Sequence, residues 1–458
     1  MLAIVGQAQG SSRPCRCVMV FGALPLVRLT VRSFDALPAF ALQQTVAATG
    51  REAQIVFGYG LSPEGEDIAI VDADPARAAE ARAIAEALRA QDETPLLVLA
   101  ATRSDSPPPE GFDRADALFD ATLADDVSPA AFGRQLERAQ RMATGKFELA
   151  MRRATARTLG CADPAGAAAR KLKLLYVGAP LPAYLSLERW VQGHGGSLSA
   201  AFTSFSGFDH LHDEAFDALV VNAVNDPATA LSICGALRRN AGLYHLPTCL
   251  LTASEDNATR QAAFEKGAAV AAAAEDPKAL SWLFEAIRLE RTRSAIDRGL
   301  LAYRDVMSAP RTGVFRAEAF RAHLDTLAQE HIHRARVLSL LALKIGPAFG
   351  ARPPGAQTLS RAIAEAAALA GRLLRASDSP ALIGDVFVAA LPNTTLAGAQ
   401  RTAERISAVA DCTTFAAEDG SAGPLSFAQS VVQQEPGECA ASVLARLLAP
   451  FDEKAMTA

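Results

Sequence analysis

Two six-residue runs constrain what this chain can fold into: Asp67-Ile68-Ala69-Ile70-Val71-Asp72 and Asp217-Ala218-Leu219-Val220-Val221-Asn222. Each is an unbroken apolar stretch closed at both ends by polar residues. A strand with no polar alternation must be covered on both faces, as in the interior of a parallel sheet flanked by helices. The surroundings of the two runs match as well. Strand-like segments at 29–31, 54–57 and 95–100 alternate with helical patterns at 42–48, 76–90 and 130–142 around the first. Strand-like segments at 172–177 and 247–253 alternate with helical patterns at 184–194, 228–241 and 258–266 around the second. The chain therefore reads as internally duplicated, with two doubly wound α/β units in series.

A third unit must follow, because 458 residues exceed what two such units use. Residues 279–306 carry helical apolar spacing with alternating charge (Glu285, Arg288, Glu290, Arg291, Arg293, Asp297, Arg298) and read as a long connecting helix with a solvated charged face. Beyond it, helical patterns at 318–328, 359–374 and 397–409 bracket apolar strands at 338–345 and 386–391. Residues 104–111 are proline-rich and residues 161–167 carry Gly and Pro, so both read as loops, the second separating the two duplicated units.

Composition narrows the function classes. The net charge of -5 and the lack of any long single-sign run argue against nucleic acid and against a polybasic membrane anchor. No apolar stretch reaches the ~18 residues of a membrane span. The first ten residues lack the basic n-region of a secretion signal, and Met19 is an alternative start. Of seven cysteines only Cys15 and Cys17 are close, a weak metal signal, and Cys161, Cys234, Cys249, Cys412 and Cys439 have no ligand spacing. Reduced cytoplasmic thiols are the expectation. His323, His331 and His333 lack accompanying ligands and are expected to face solvent.

The two apolar runs resemble the third strand of response-regulator receiver domains, which ends in the phosphorylated aspartate. In that family phosphoryl transfer also needs an acidic pair for Mg²⁺, a hydroxyl on the fourth strand and a lysine on the fifth. In the first unit Asp72 aligns with the acceptor, as a vestigial phosphoacceptor or a plain strand-end carboxylate. Arg32 and Ser33 stand where the acidic pair belongs, the hydroxyl position reads as Ala100, and residues 123–128 hold no lysine. In the second unit Asn222 replaces the acceptor, residues 177–179 carry no acidic pair, and Thr252 keeps the hydroxyl position. That unit reads as structural and dimerising.

The third unit resembles the GGDEF diguanylate cyclase domain in three segments. These are Ala309-Pro310-Arg311-Thr312-Gly313-Val314-Phe315, the strand Leu340-Leu341-Ala342-Leu343-Lys344-Ile345-Gly346, and the hairpin Ile383-Gly384-Asp385-Val386-Phe387. Making cyclic di-GMP requires carboxylates that hold metal ions against the phosphates. The family's Asp-Ile-Asp is Lys344-Ile345-Gly346 here, the hairpin's second acid is Val386 and its first glycine is Ile383. The expectation is no enzyme and no metal.

What survives is Arg375-Ala376-Ser377-Asp378, which resembles the family's Arg-x-x-Asp inhibitory site. A guanidinium can donate to guanine O6 and N7, and a carboxylate can accept from N1–H and the exocyclic amine. Arg401 and Arg405, spaced i, i+4 on one helical face, supply further cations, and Arg405 matches the family's secondary arginine best.

The expected fold is therefore α/β: two receiver-like (flavodoxin-like) doubly wound domains followed by a GGDEF cyclase-like α/β domain. The expected limits are an N-terminal extension at 1–19, receivers at 20–158 and 168–295, and the GGDEF domain at 296–458. The resemblance to degenerate members of the PleD-type receiver–receiver–GGDEF family implies a cytoplasmic, polar, homodimeric cyclic di-GMP effector with Arg375, Asp378, Arg405 and Arg401 as ligand residues. It further implies a cell-cycle adaptor that recruits the protease adaptor RcdA and serves the ClpXP pathway. The alternatives are an active diguanylate cyclase or a phosphorylation relay through Asp72.

Overall fold

The computed structural model describes residues 27–60, 66–90, 97–109, 117–164, 170–240, 242–276, 278–347, 356–411, 415–416, 422–423 and 425–451. The extension through Met19, the Cys15–Cys17 pair and Cys412 lie outside the described residues.

The first unit is a five-stranded parallel sheet of β1 (Leu29–Ser33), β2 (Ala53–Phe57), β3 (Ile68–Asp72), β4 (Leu97–Thr102) and β5 (Ala121–Ala124), in the order β2-β1-β3-β4-β5. The helices are α1 (Ala36–Ala47), α2 (Ala78–Arg89) and α3 (Pro129–Thr158). Every residue of β1, β3, β4 and β5 is buried; β3 and β4 are accordingly near-continuous apolar runs, whereas β1 buries the polar Thr30, Arg32 and Ser33. Leu29, Val31, Ile68, Ile70, Leu97 and Leu99 face α1 and α3, whereas Ala69, Val71, Val98 and Ala100 face α2.

The second unit repeats the plan. Its strands are β6 (Lys173–Val177), β7 (Ser197–Ala201), β8 (Ala218–Asn222), β9 (Thr248–Thr252) and β10 (Val270–Ala273), again parallel, in the order β7-β6-β8-β9-β10. Helices α4 (Pro182–Gly193), α5 (Ser204–Asp213), α6 (Pro227–Arg239) and α7 (Asn257–Glu265) cover it. Both units thus carry the flavodoxin-like 2-1-3-4-5 order, and the duplication read from the sequence is real in three dimensions. Strands β5, β7 and β10 and helix α5 were not anticipated.

The third unit is an antiparallel sheet in the order β12-β13-β11-β16, from β11 (Leu338–Pro347), β12 (Ser379–Ile383), β13 (Val386–Pro392) and β16 (Leu425–Gln433). A short pair, β14 (Phe415–Ala416) and β15 (Ala422–Gly423), stands apart. The strand period of two sorts β11 cleanly. Leu338, Leu340 and Ala342 pack on α9 (Ala317–His333) and α12 (Ala440–Leu448), while Leu341, Leu343 and Ile345 pack on α10 (Ala356–Arg372) and α11 (Leu396–Asp411).

Helix α8 (Lys278–Met307) leaves the second unit, runs unbroken past residue 295 and lies along α3. Two glycines let the pair approach closely. A Cβ on Gly145 would stand 2.9 Å from Ile296 Cγ2, and one on Gly299 would stand 3.0 Å from Leu149 Cδ1. Gly145→Val is therefore expected to lower the unfolding midpoint, at about 1–3 kcal/mol of overpacking, read by urea titration. An unchanged midpoint would show that the two helices part freely.

The charged face of α8 is not simply solvated, contrary to expectation. Glu285 Oε1 accepts the Thr122 amide at 2.6 Å, and Arg288 donates to Phe119 O at 2.9 Å. Arg291 reaches both oxygens of Asp217 at 3.1 and 2.9 Å. These groups satisfy strand-end backbone and carboxylates that water would otherwise have to serve. Asp67, the counterpart of Asp217 at the start of the first apolar run, is bound by Arg336 from the third unit. The equivalent aspartates of the duplicated units thus both anchor a downstream arginine.

Candidate functional site

The surroundings of Asp72, the expected acceptor of the first unit, are filled by the chain's own groups. Asp72 Oδ2 accepts from Arg77 Nε at 2.7 Å and Ser33 Oγ at 3.2 Å, and Oδ1 accepts from Arg77 Nη2 at 3.2 Å. Arg32 is buried and forked onto Glu66 at 2.5 and 3.1 Å, filling the acidic-pair position with an internal ion pair. The register corrects one assignment. Asp72 pairs with Ala101, just as Asn222 pairs with Leu251, so the counterpart of Thr252 is Thr102 and not Ala100. Ala100 lies on the α2 face, within the core. In the second unit Asn222 Nδ2 donates to Ala179 O at 2.8 Å, and Arg260 Nη1 donates to Thr252 Oγ1 at 2.9 Å.

The hairpin of the third unit forms as its sequence suggests. Ile383 pairs with Val386, leaving Gly384-Asp385 as a two-residue turn, and Gly384 takes the positive φ of 64° that such turns place at their first central residue. Ile345 N donates to Asp385 O at 3.0 Å and ties the tip to β11. Lys344 faces Val386 across the ladder, and its Nζ donates to Phe451 O at 3.3 Å. An ammonium here opposes a divalent cation instead of coordinating it. Among the described residues no cluster of three or more His, Cys, Asp or Glu is placed to hold a metal ion.

Residues 375–378 form a closed turn between α10 and β12. Arg375 N donates to Asp378 Oδ2 at 2.9 Å, and Asp378 N donates to Arg375 O at 3.1 Å. Arg375 itself is exposed, and its guanidinium has no partner among the described residues. Asp378, expected as an acceptor for guanine, is only 4% exposed and folded back onto its own turn. Burial raises its pKa to about 6, against the lowering effect of the Arg375 amide and charge. Arg405 is brought to the turn, its Nη2 donating to Leu373 O at 3.1 Å. Arg401, one helical turn earlier and exposed, makes no such contact among the described residues.

The turn opens on a cleft of about 1390 Å³ between the three units, where Arg375, Ala376 and Ser377 face Met142 and Gly145 of α3 and Ile296 of α8. That volume exceeds the ~300–1000 Å³ of ordinary small-molecule sites.

A pH signature follows from Asp378. A carboxyl whose folded pKa lies above its unfolded value contributes stability below about pH 4 that is lost as pH rises through 6. His331, pushed down to about 4 by burial and by Arg336, works the opposite way over a similar range. The difference between Asp378→Asn and its parent isolates the carboxyl. The variant should gain up to about 2–3 kcal/mol on the parent between pH 4 and 7 in urea midpoints. A constant difference across that range would remove the buried carboxyl from the account.

Several buried polar groups escaped the sequence. His323 and His331 are buried, not solvent-facing as expected, at 0% and 1% exposure. His323 joins Glu148 and Arg152 in a network beneath the turn. The only sequence signal was a Glu-x-x-x-Arg pair on an otherwise apolar helical face.

No family model matches the chain, and no curated protein matches it. Solved structures similar to it include GGDEF domains and a response regulator. One is the GGDEF domain of DgcB from Caulobacter crescentus in complex with c-di-GMP, at 20% identity over 32% of this chain and 87% of that one, TM-score 0.29. Another is the GGDEF domain of PA1120 (YfiN or TpbB) from Pseudomonas aeruginosa, at 20% identity over 32% and 93%, TM-score 0.28. A response regulator from Chloroflexus aurantiacus matches at 24% identity over 23% and 85%, TM-score 0.22. No helix among the described residues is long and apolar enough to cross a membrane.

Proposed function

We propose that this chain binds cyclic di-GMP at the turn of residues 375–378 and does not synthesise it. The observation that carries the reading is a preformed turn presenting the exposed guanidinium of Arg375 to an interunit cleft, beside a hairpin and strand in which Lys344, Gly346 and Val386 stand where the cyclase family has its metal-binding acids. Arg375 supplies the fork for guanine O6 and N7. Asp378 closes the turn and offers its remaining acceptor capacity, and Arg405 and Arg401 supply cations from α11. On this reading the chain is a PopA-like degenerate member of the PleD-type family, homodimeric and cytoplasmic with a polar address. Its ligand would tune an adaptor surface for the RcdA and ClpXP proteolysis pathway. Ligand acts by favouring one arrangement of the units over another.

Calorimetry with cyclic di-GMP tests the binding, and the reading fails if no heat is released at ligand concentrations far above the physiological. Incubation with GTP and Mg²⁺ tests the second half, with no cyclic product expected. Accumulating product would restore the cyclase alternative. The relay through Asp72 has less support, because Arg77 already neutralises both acceptor oxygens. Acetyl phosphate with Mg²⁺ is expected to leave Asp72 unmodified, read as intact mass. A gain of one phosphoryl group lost in Asp72→Asn would reinstate the relay.

A further inference from the structure

We propose that Arg152, on helix α3 of the first unit, is the positioning residue of the ligand turn in the third unit, so that the dinucleotide site is complete only when those two units are docked. The inference rests on the ligand reading above and extends it to a residue that belongs to neither the turn nor its unit.

The guanidinium of Arg152 is fully buried and uses its fork in three directions. Its Nη2 donates to the main-chain oxygen of Asp378 at 2.8 Å and to Ser379 Oγ at 3.1 Å. Its Nη1 donates to Leu300 O on α8 at 2.7 Å, and its Nε to Glu148 Oε1 at 2.8 Å. Ser379 Oγ donates in turn to the same Glu148 oxygen at 2.7 Å. His323 Nε2 lies 2.9 Å from that oxygen, and Thr155 Oγ1 lies 3.0 Å from His323 Nδ1. The end of the turn that carries Asp378 is therefore bonded to Arg152 of α3, while nearer its other end Ala376 packs against the core of the first unit and Arg405 of its own unit donates to Leu373 O.

A purely stabilising role explains this poorly. Desolvating an ion network of this kind generally offsets most of what its attraction contributes, and packed apolar residues would hold the units as well. What the fork adds is direction. A guanidinium donates along fixed in-plane lines to two carbonyls on different elements, which an ammonium on a flexible stem does not reproduce. Because Arg375 N is bonded to the Asp378 carboxylate, fixing the Asp378 main chain fixes where the Arg375 side chain departs.

The test uses the full chain with Arg152→Lys, which keeps the charge, and Ser379→Ala, which removes one bond of the clamp. Amide hydrogen exchange in the absence of ligand is the first readout. At Arg375 and Asp378 it should accelerate about tenfold in Arg152→Lys, the equivalent of one hydrogen bond to a charged group, and less in Ser379→Ala. Exchange in β11 and β13 should stay as in the parent. Calorimetry with cyclic di-GMP is the second readout, and the affinity should fall by about the same factor. If exchange at the turn is unchanged in Arg152→Lys, or if only the melting temperature moves, Arg152 is structural and the inference is overturned. A parent chain that binds no cyclic di-GMP would sink the ligand reading alone, since exchange at the turn still decides the positioning role.

Discussion

Arg375→Ala is expected to weaken cyclic di-GMP binding by about 10–100-fold, the scale of one bidentate arginine–guanine contact of ~1–3 kcal/mol. The same change should leave the unfolding midpoint within about 0.5 kcal/mol of the parent, because the side chain is exposed and holds no described partner. This separation of affinity from stability is the useful part of the prediction. Only the Arg375 main chain participates in closing the turn, through its amide to Asp378 Oδ2 and its carbonyl to the Asp378 amide. Alanine retains both bonds. Arg375→Lys should recover little, since a point charge does not reproduce the two parallel donors that face O6 and N7. Arg405→Ala should cost less than Arg375→Ala, because part of that guanidinium is already committed to Leu373 O. Equal affinity in the parent and Arg375→Ala, measured side by side by calorimetry, would move the ligand elsewhere.

The parts of this architecture that were legible in the sequence are those with a local cause. β3, β4, β6, β8 and β9 are interior strands buried on both faces, so they stand out as largely apolar runs. β7, with the sequence Ser197-Leu198-Ser199-Ala200-Ala201, is an edge strand with one neighbour, and it carries no such signal. β5 and β10 are four residues each and alanine-rich, too short for a period to show. Helix α3 reads to Met142 in the sequence and continues to Thr158, its second half burying the charged Glu148 and Arg152 where an apolar stripe would be the usual signal. The Ala100 assignment failed for lack of a register, which only the pairing of Asp72 with Ala101 supplies. Glu148 and Arg152 were invisible as a hub because their partners Leu300, Asp378 and Ser379 lie roughly 150 to 230 residues away in the chain. An i, i+4 charge pair ordinarily belongs to a helix surface, where it contributes little.

That hub carries the largest expected effect on stability. Glu148→Ala should destabilise the chain by about 3–5 kcal/mol, the cost of leaving a buried charge without its partner. One carboxylate oxygen serves Arg152, Ser379 and His323 at 2.8, 2.7 and 2.9 Å, so its removal strands a fully buried guanidinium. Burial works to raise the Glu148 pKa, but the charges of His323 and Arg152 and the hydrogen bonds outweigh it and bring it down to about 2. A lowered carboxyl contributes stability above its unfolded pKa of about 4.5 and loses it as pH falls toward 2. The acid limb of the stability curve should therefore flatten in Glu148→Gln, and the gap between that variant and the parent should close by about pH 2–3. Removing both ions, in Glu148→Leu with Arg152→Met, should cost less than Glu148→Ala alone, because no charge is then left desolvated. The urea midpoints of Glu148→Leu, Arg152→Met and the double variant form a cycle that measures the coupling directly. Additive effects, with a double variant as destabilised as the sum of the singles, would mean that Glu148 and Arg152 do not act together, and the joint between the first and third units would have to be sought in Asp67 and Arg336 instead.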